Sequence, residues 1–343
     1  MRVLVFRFSA LGDVALSLPV LQKLTEQNPD AEITVVSRPF MAPLFTPLSV
    51  AFHGADVSHT YKGFKGLWKL YKELKDQYQP DVIIDLHYVL RSRVLSMFFR
   101  GSGIPVYHIH KGRTEKKALV RPDNKIRQSL PHTTERYAQV FRQAGLHLEY
   151  DPGEQPRIEY TSPEDFSTLL PHHSQTITIG IAPFAQHRGK MWPLHKTREL
   201  LQLLTGKGYH IILFGGPGEK QKLNELILNN SIKNAAGAFK LDAELNLMRK
   251  LALMIAMDSS NMHMATLTGI PVVSIWGATH SDAGFGPLGK NEQFKAEIPV
   301  EKLACRPCSV YGNKPCLRED YACLNWLEPK DVLYKVTLAL EHS

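Results

Sequence analysis

Cysteine is scarce in this chain, and long apolar runs are absent. Four of the 343 residues are cysteine, all beyond residue 300, too few and too late to frame the whole chain with disulfides. No run reaches the length of a membrane span. The N-terminus is apolar, yet Arg7 and Asp13 interrupt it and no small-residue cleavage site follows, so it reads as part of the fold rather than a secretory signal. Neither half carries G-x-G-x-x-G in its first strand-turn-helix, which argues against a dinucleotide-dependent dehydrogenase. Acids are outnumbered, 33 against 41 Lys and Arg, and the formal net charge of +8 favours an acidic partner. No helix-turn-helix, zinc-finger, RRM or KH signature goes with that charge. Nucleic acid therefore fits less well than a phosphorylated lipid or an anionic membrane face.

With 43% hydrophobic and 22% charged residues, the chain is long enough for two domains, each with its own core. It is organised around its opening, VLVFRFSALGDVALSLPVLQKL, Val3 to Leu24. An apolar run, Val3 to Phe8, reads as a buried parallel strand, and a periodic helix resumes at Val14. The loop between them, Ser9 to Asp13, falls at the carboxyl edge of an open α/β sheet, where ligands bind. Asp13 reads either as a carboxylate placed for chemistry or as a cap of the following helix. Strand patterns recur at Glu32–Arg38, Asp81–His87 and Ile104–His110, with helical patterns between them, which implies a parallel sheet with helices on both faces. Asp85 and His87 end one such strand and are second-tier contacts that could equally be caps.

From Arg91 to Arg142 the chain is basic, and Lys111, Arg113, Lys116, Lys117, Arg121, Lys125 and Arg127 crowd one segment. That run suits phosphate or anionic headgroups, or else is a solvated loop. A stretch rich in Pro, Gly and acid, near Pro152 to Pro171, reads as an interdomain linker. The α/β alternation then restarts at Thr176–Pro183. Gly215, Gly216 and Gly218 follow a strand, allowing backbone to approach a ligand, and Glu219 beyond them can accept hydrogen bonds from ribose hydroxyls. Asp258 ends a strand where Ser259 and Ser260 open a helix whose free N–H groups can cradle a pyrophosphate, with His263 one turn inside. Thr279 and His280 stand in the next loop and could face the same ligand. The cysteines, Cys305, Cys308, Cys316 and Cys323, are spaced C-x2-C-x7-C-x6-C; structural zinc, a disulfide and free thiols all remain open.

Three stretches carry a family resemblance. The opening resembles the N-terminus of the lipopolysaccharide heptosyltransferases, glycosyltransferase family 9: a hydrophobic strand, R-x-S-x-x-G-D, then a helix with Leu-Pro. FAQHRGKMWP, Phe184 to Pro193, resembles the family's loop with a lysine before Trp-Pro. MDSSNMHMATLTGIPVVSIWGATHSDAGFGPLG, Met257 to Gly289, resembles its D-[ST]-G-x-x-H-x-A-x-x-x-G-x-P segment. Ser260 replaces the family's glycine, and Ala185 and Gln186 stand where hydroxyl residues are usual.

The resemblance implies an α/β protein of GT-B fold, two Rossmann-like domains with a parallel sheet each, facing across a central cleft. An acceptor domain would span residues 1–160 and a donor domain 161–328, with the terminal helix, 329–343, packing back on the first. It implies inverting transfer of a heptose from ADP-L-glycero-D-manno-heptose to the lipopolysaccharide inner core, with Asp13 as general base and Lys190 at the leaving diphosphate. Donor contacts would come from Ala185, Gln186, Lys190, Gly216, Glu219, Phe239, Asp258, Ser259, Ser260 and His263, although Phe239 could as well be core. Acceptor contacts would come from Ser9, Gly12, Lys111, Arg113 and Arg121. No metal or other cofactor is implied. The partners are the nucleotide sugar and a phosphorylated glycolipid, in the cytoplasm, with peripheral contact at the inner membrane face. A different nucleotide sugar or glycan acceptor, or a non-catalytic glycolipid-binding module of the same fold, are the alternatives.

Overall fold

Short runs of aliphatic and β-branched residues build two separate parallel sheets. In a computed structural model of the chain, which describes residues 1–342 apart from His172 and Ser174, the residues divide into two compact units. The first comprises Met1–Lys111 and Thr133–Pro152, and the second Gly112–His132 and Gly153–Ser343.

The first unit contains β1 (Arg2–Phe6), β2 (Glu32–Ser37), β3 (Ala51–Gly54), β4 (Val82–Asp85) and β5 (Val106–His108), in the order β3-β2-β1-β4-β5. Val5 of β1 stands beside Val35 on one side and Ile84 on the other, so the central strand is buried on both faces and reads as an unbroken apolar run. The helices Gly63–Tyr78 and Leu90–Gly101 pack against one face. Leu67, Leu70 and Leu74 from the first and Leu95 and Phe99 from the second repeat at helical spacing and meet Leu4, Phe6 and Ile83 of the sheet. Each such side chain contributes about 1.5–3 kcal/mol when fully buried. Beyond β1 the chain enters the short helix Leu11–Ala15 and then Leu18–Gln27, with Pro19 in its first turn, where a missing N–H is harmless.

The second unit contains β6 (Thr178–Ala182), β7 (His210–Leu213), β8 (Ile232–Asn234), β9 (Leu253–Met257), β10 (Val272–Trp276) and β11 (Lys295–Glu297), in the order β11-β10-β9-β6-β7-β8. Trp192, fully buried, donates its indole N–H to the Leu327 carbonyl at 3.1 Å. Lys196 reaches the carbonyls of Asn325 and Leu327 and the Glu328 carboxylate. These bonds tie the Trp-Pro segment to the chain's last turn before its terminal helix.

Two boundary expectations are corrected. The terminal helix, Pro329–Glu341, is part of the second unit: Val332, Val336 and Ala339 are buried in that unit's own core, because they complete a hydrophobic face that the second sheet already presents. The segment 112–132, expected within the first domain, belongs to the second. Lys125 donates to the carbonyls of Cys305 and Pro307, Arg127 to that of Ala304 and Ser129 to the Asp282 carboxylate, while Leu119 and Val120 pack on Ala283.

Candidate functional site

In the first unit the loop after β1 is held by a buried arginine. Arg7 leaves the end of the strand into the protein interior, donates to the Leu86 carbonyl at 2.7 Å and meets the Asp13 carboxylate at 2.6 Å. A buried guanidinium must be paired, and Asp13 is its partner. Burial works against the Arg7 charge, but Tyr137 and Asp13 outweigh it and its pKa is raised. Asp13 also accepts from the Ala10 N–H through the same oxygen, Oδ2, at 3.3 Å. It stands third in the short helix and so satisfies a free N–H at the helix start, one half of a capping box, since Ala10 has no side-chain oxygen to return. Oδ1 has no hydrogen-bond partner among the described residues, and the side chain is 30% exposed. The two readings of Asp13 are thus compatible: Oδ2 is structural and Oδ1 is available.

Around this carboxylate lie Gly12, in the same turn, and Ser9, whose Oγ is 3.3 Å from His87 Nε2. Burial, with Arg7 and Lys111 as neighbouring cations, pushes His87 down to about 3, so its ring is neutral at physiological pH, and its Nδ1 is buried without a hydrogen-bond partner among the described residues. Asp85 resolves as a structural cap. It is fully buried and accepts from the backbone N–H groups of His87 and Tyr88 at 2.9 and 2.7 Å, and burial raises its pKa against those bonds.

In the second unit the loop carrying Lys190 is stitched to the end of β10, where Ala278 N–H donates to the Gly189 carbonyl at 2.8 Å. Gly312, at φ +74°, passes so close that a Cβ there would lie 2.6 Å from Lys190 Cγ, which fixes the direction of the lysine stem. The ammonium meets Asp258 Oδ2 at 2.8 Å. Asp258 is buried just past β9, and next to it Ser259 caps the helix Ser260–Leu267 in an extended conformation. The Ser259 Oγ is buried without a hydrogen-bond partner among the described residues, and Ser260 is half-buried. His263 is buried one turn into that helix. Lys190, Asp258, Ser259 and Ser260 are therefore brought together at one strand end. The arrangement offers an ammonium and helix N–H groups to an anion.

The remaining donor candidates are placed less decisively. Glu219 turns one oxygen back to the Gly216 N–H at 2.7 Å, closing its own turn, and Oε1 has no partner among the described residues. Phe239 is half-buried and packs edge-on against Phe166, with centroids 5.3 Å apart, so its core reading holds for the face it presents there. Ala185 packs against the hydrophobic core and Gln186 is exposed. His280 lies between two carboxylates. Its ring nitrogens lie 3.1 Å from the Asp282 carboxylate and 3.5 Å from that of Glu297. Burial would lower its pKa, but those two partners raise it to about 9. Thr279 is buried beside it and gives its carbonyl to Arg306.

Among the acceptor candidates, Lys111 is half-buried in the first unit, whereas Arg113 and Arg121 are exposed on the excursion that packs with the second. Three cations of the basic run are engaged within the second unit: Lys116 lies over the Phe285 ring at 4.1 Å, and Lys125 and the exposed Arg127 donate to backbone carbonyls. The four cysteines are free thiols that line one small cavity with Arg306 and Tyr321, and burial pushes Cys323 up to about 12. As placed, no group of three or more His, Cys, Asp or Glu among the described residues could hold a metal ion. Two residues of the site escaped the sequence reading. Arg7 had a signal, a charge at the end of an apolar strand that must be paired if buried; Gly312 had none, because its neighbour is 122 residues away.

Comparison with known proteins follows the same lines. A family model, glycosyltransferase family 9 (heptosyltransferase), matches residues 67–314. The lipooligosaccharide heptosyltransferase 2 of Haemophilus influenzae is 24% identical over 298 residues, covering 81% of this chain and 84% of the relative. A glycosyl transferase family 9 structure from Veillonella parvula superposes with a TM-score of 0.78 at 19% identity, over 100% of this chain and 98% of that one. The E. coli ADP-heptose lipopolysaccharide heptosyltransferase II structure gives 0.70 at 21%, over 100% and 99%. The shared architecture is the GT-B fold.

Proposed function

The chain belongs to glycosyltransferase family 9, and from that premise we propose that it transfers a heptose from an ADP-activated donor to the inner core of lipopolysaccharide. The relatives named above as lipooligosaccharide and ADP-heptose lipopolysaccharide heptosyltransferases support this choice of sugar and acceptor. The observation that carries it is the Asp13 carboxylate, fixed through Oδ2 by buried Arg7 and open at Oδ1.

In this reading Asp13 Oδ1 takes the proton of an acceptor hydroxyl as that oxygen bonds to the anomeric carbon. The bond from the anomeric carbon to the ADP oxygen breaks on the opposite face, so configuration inverts and ADP leaves. Negative charge grows on the diphosphate as it departs. Lys190 and the helix opening at Ser259 would stabilise that charge, and the ion pair with Asp258 supports this reading by orienting the ammonium. The reading calls on no cofactor. Ser9, Gly12 and Lys111 would contact the acceptor from the Asp13 loop, and Glu219 Oε1 the donor ribose.

The test is a transfer assay with purified chain, ADP-heptose and core-truncated lipopolysaccharide. The acceptor should gain the mass of one heptose with release of one ADP. In parallel, thermal shifts with ADP-, GDP- and UDP-sugars rank donors, since a ligand at a hundred times its Kd adds about 2.7 kcal/mol of stability. Stabilisation by a GDP- or UDP-sugar in place of the ADP-sugar would reassign the donor, and ADP-sugar binding without any product would favour the non-catalytic alternative.

A further inference from the structure

Asp85 is a buried carboxylate that the transfer chemistry does not use. Its Oδ1 accepts from the backbone N–H groups of His87 and Tyr88 at the end of β4. Burying a carboxylate is costly unless its hydrogen bonds offset the loss of water, and here those bonds fix an unusual backbone. Tyr88 stands at φ +44°, in the left-handed region that a bulky residue seldom adopts.

At this bend the Tyr88 ring lies flat on that of His108, with centroids 3.8 Å apart and planes 7° from parallel. Asp85 organises both partners. It stands in register with His108 across β4 and β5, and its carbonyl accepts from the Ile109 N–H at 3.0 Å. Core packing does not account for the stack, since Tyr88 is half-buried, His108 is exposed, and neither belongs to the unit's hydrophobic cluster. Backbone strain that the surrounding structure enforces gathers at binding and active sites.

The polar atoms of the stack are unengaged. Among the described residues, neither the Tyr88 hydroxyl nor a ring nitrogen of His108 has a hydrogen-bond partner. The Arg93 guanidinium, exposed, lies 5.2 Å from the centre of the Tyr88 ring and pairs with no carboxylate among those residues. The edge is the one at which Asp13 stands: Tyr88 follows His87, whose Nε2 is 3.3 Å from Ser9 Oγ, and Leu86, whose carbonyl holds the Arg7 that pairs with Asp13. Such a set suits an anionic sugar. The C–H face of a pyranose packs on an aromatic face, its hydroxyls meet the polar edge, and a carboxylate or phosphate meets the guanidinium.

We propose that Tyr88 and His108 form a platform on which a pyranose of the acceptor packs, with Arg93 meeting its anionic substituent. That the sugar belongs to the acceptor rests on the transfer reaction proposed above; the stack itself is read from these side chains.

The experiment measures binding apart from transfer. Full-length chain is titrated in calorimetry with the deacylated, phosphorylated oligosaccharide of core-truncated lipopolysaccharide, with no donor present, and the same variants are assayed for transfer. Tyr88→Gly removes the ring at a φ that glycine adopts freely, so the melting temperature should not fall. Its affinity for the oligosaccharide should drop about tenfold, and KM for the acceptor should rise by as much with kcat within about twofold. His108→Ala should behave alike, and Tyr88→Phe and His108→Phe, which keep a ring, should recover most of the loss. Parent affinity in both Tyr88→Gly and His108→Ala overturns the proposal, as does a parent chain that binds no oligosaccharide. A lower melting temperature in Tyr88→Gly would overturn it by making the ring structural, and weaker ADP binding by assigning the stack to the nucleotide. Oligosaccharide binding that depends on Tyr88, without heptose transfer, would leave the platform standing and remove the catalytic reading. Transfer with the parent KM in both ring-deleted variants would do the reverse.

Discussion

Each unit carries an ion pair at the carboxyl end of a central strand, and the two pairs are inverted. After β1 the cation is the buried member: the Arg7 side chain is 6% exposed and its partner Asp13 30%. After β9 the acid is buried: the Asp258 side chain is 6% exposed and Lys190 16%. Similar parallel-sheet edges therefore present charges of opposite sign. The buried member fixes the geometry, and the outer member decides the chemistry. A carboxylate facing out can take a proton, whereas an ammonium facing out can hold a diphosphate. In the proposed mechanism, two transferase roles would arise from one architectural device by exchanging which partner is more deeply buried.

The strongest way to break this comparison is to remove the outer member of the first pair. Asp13→Ala should reduce transfer by roughly 10²–10⁴-fold, the usual contribution of a general base, while ADP affinity changes less than twofold. A rate within tenfold of the parent would deny Asp13 the base role. The outer member of the second pair should fail differently. Lys190→Ala is expected to weaken ADP binding in calorimetry about 10–100-fold, the range of a charge-assisted contact, and unchanged affinity would take Lys190 out of the donor site.

The smallest effect sharpens the contrast through two histidines. His87, beside cations, is held down to about 3, and His280, between carboxylates, is raised to about 9. Below pH 6.5 the unfolded chain protonates His87 while the folded chain does not, so its contribution favours unfolding progressively from pH 6.5 towards 3. His280 has the opposite sign. Its stabilisation is fully present below pH 6.5 and is lost as pH rises through 9. Hydrogen exchange read unit by unit should show the first unit loosening in acid and the second in base, each by on the order of a few kcal/mol across its window. Parallel pH profiles in the two units would contradict the contrast.

How much of this was legible in the sequence depended on range. The strand, loop and helix from Val3 to Leu24 could be read because their signals are local: an apolar run, a break, then helical spacing. The convergence of Lys190 with Asp258 was implied only by family resemblance, since 68 residues separate them and no pattern in either segment encodes the 2.8 Å contact. The basic run illustrates the limit. Composition showed seven cations but not that Lys125 and Arg127 hold carbonyls about 180 residues onward, or that Lys116 covers an aromatic ring. The surroundings of His280 were equally out of reach, because the carboxylates beside it come partly from the next strand, through Glu297.

Residues 112–132 give the chain three junctions between its units, at 111/112, 132/133 and 152/153, where a simple tandem would have one. A chimera that exchanges halves at residue 152 would carry a foreign patch into the recipient, because Leu119, Val120 and the bonds to Cys305 and Asp282 travel with the wrong parent. Recombination that respects the molecule has to transfer the excursion with the C-terminal half, as a discontinuous cassette. Homologues that drift in one half are thereby bound to compensate in a stretch encoded in the other.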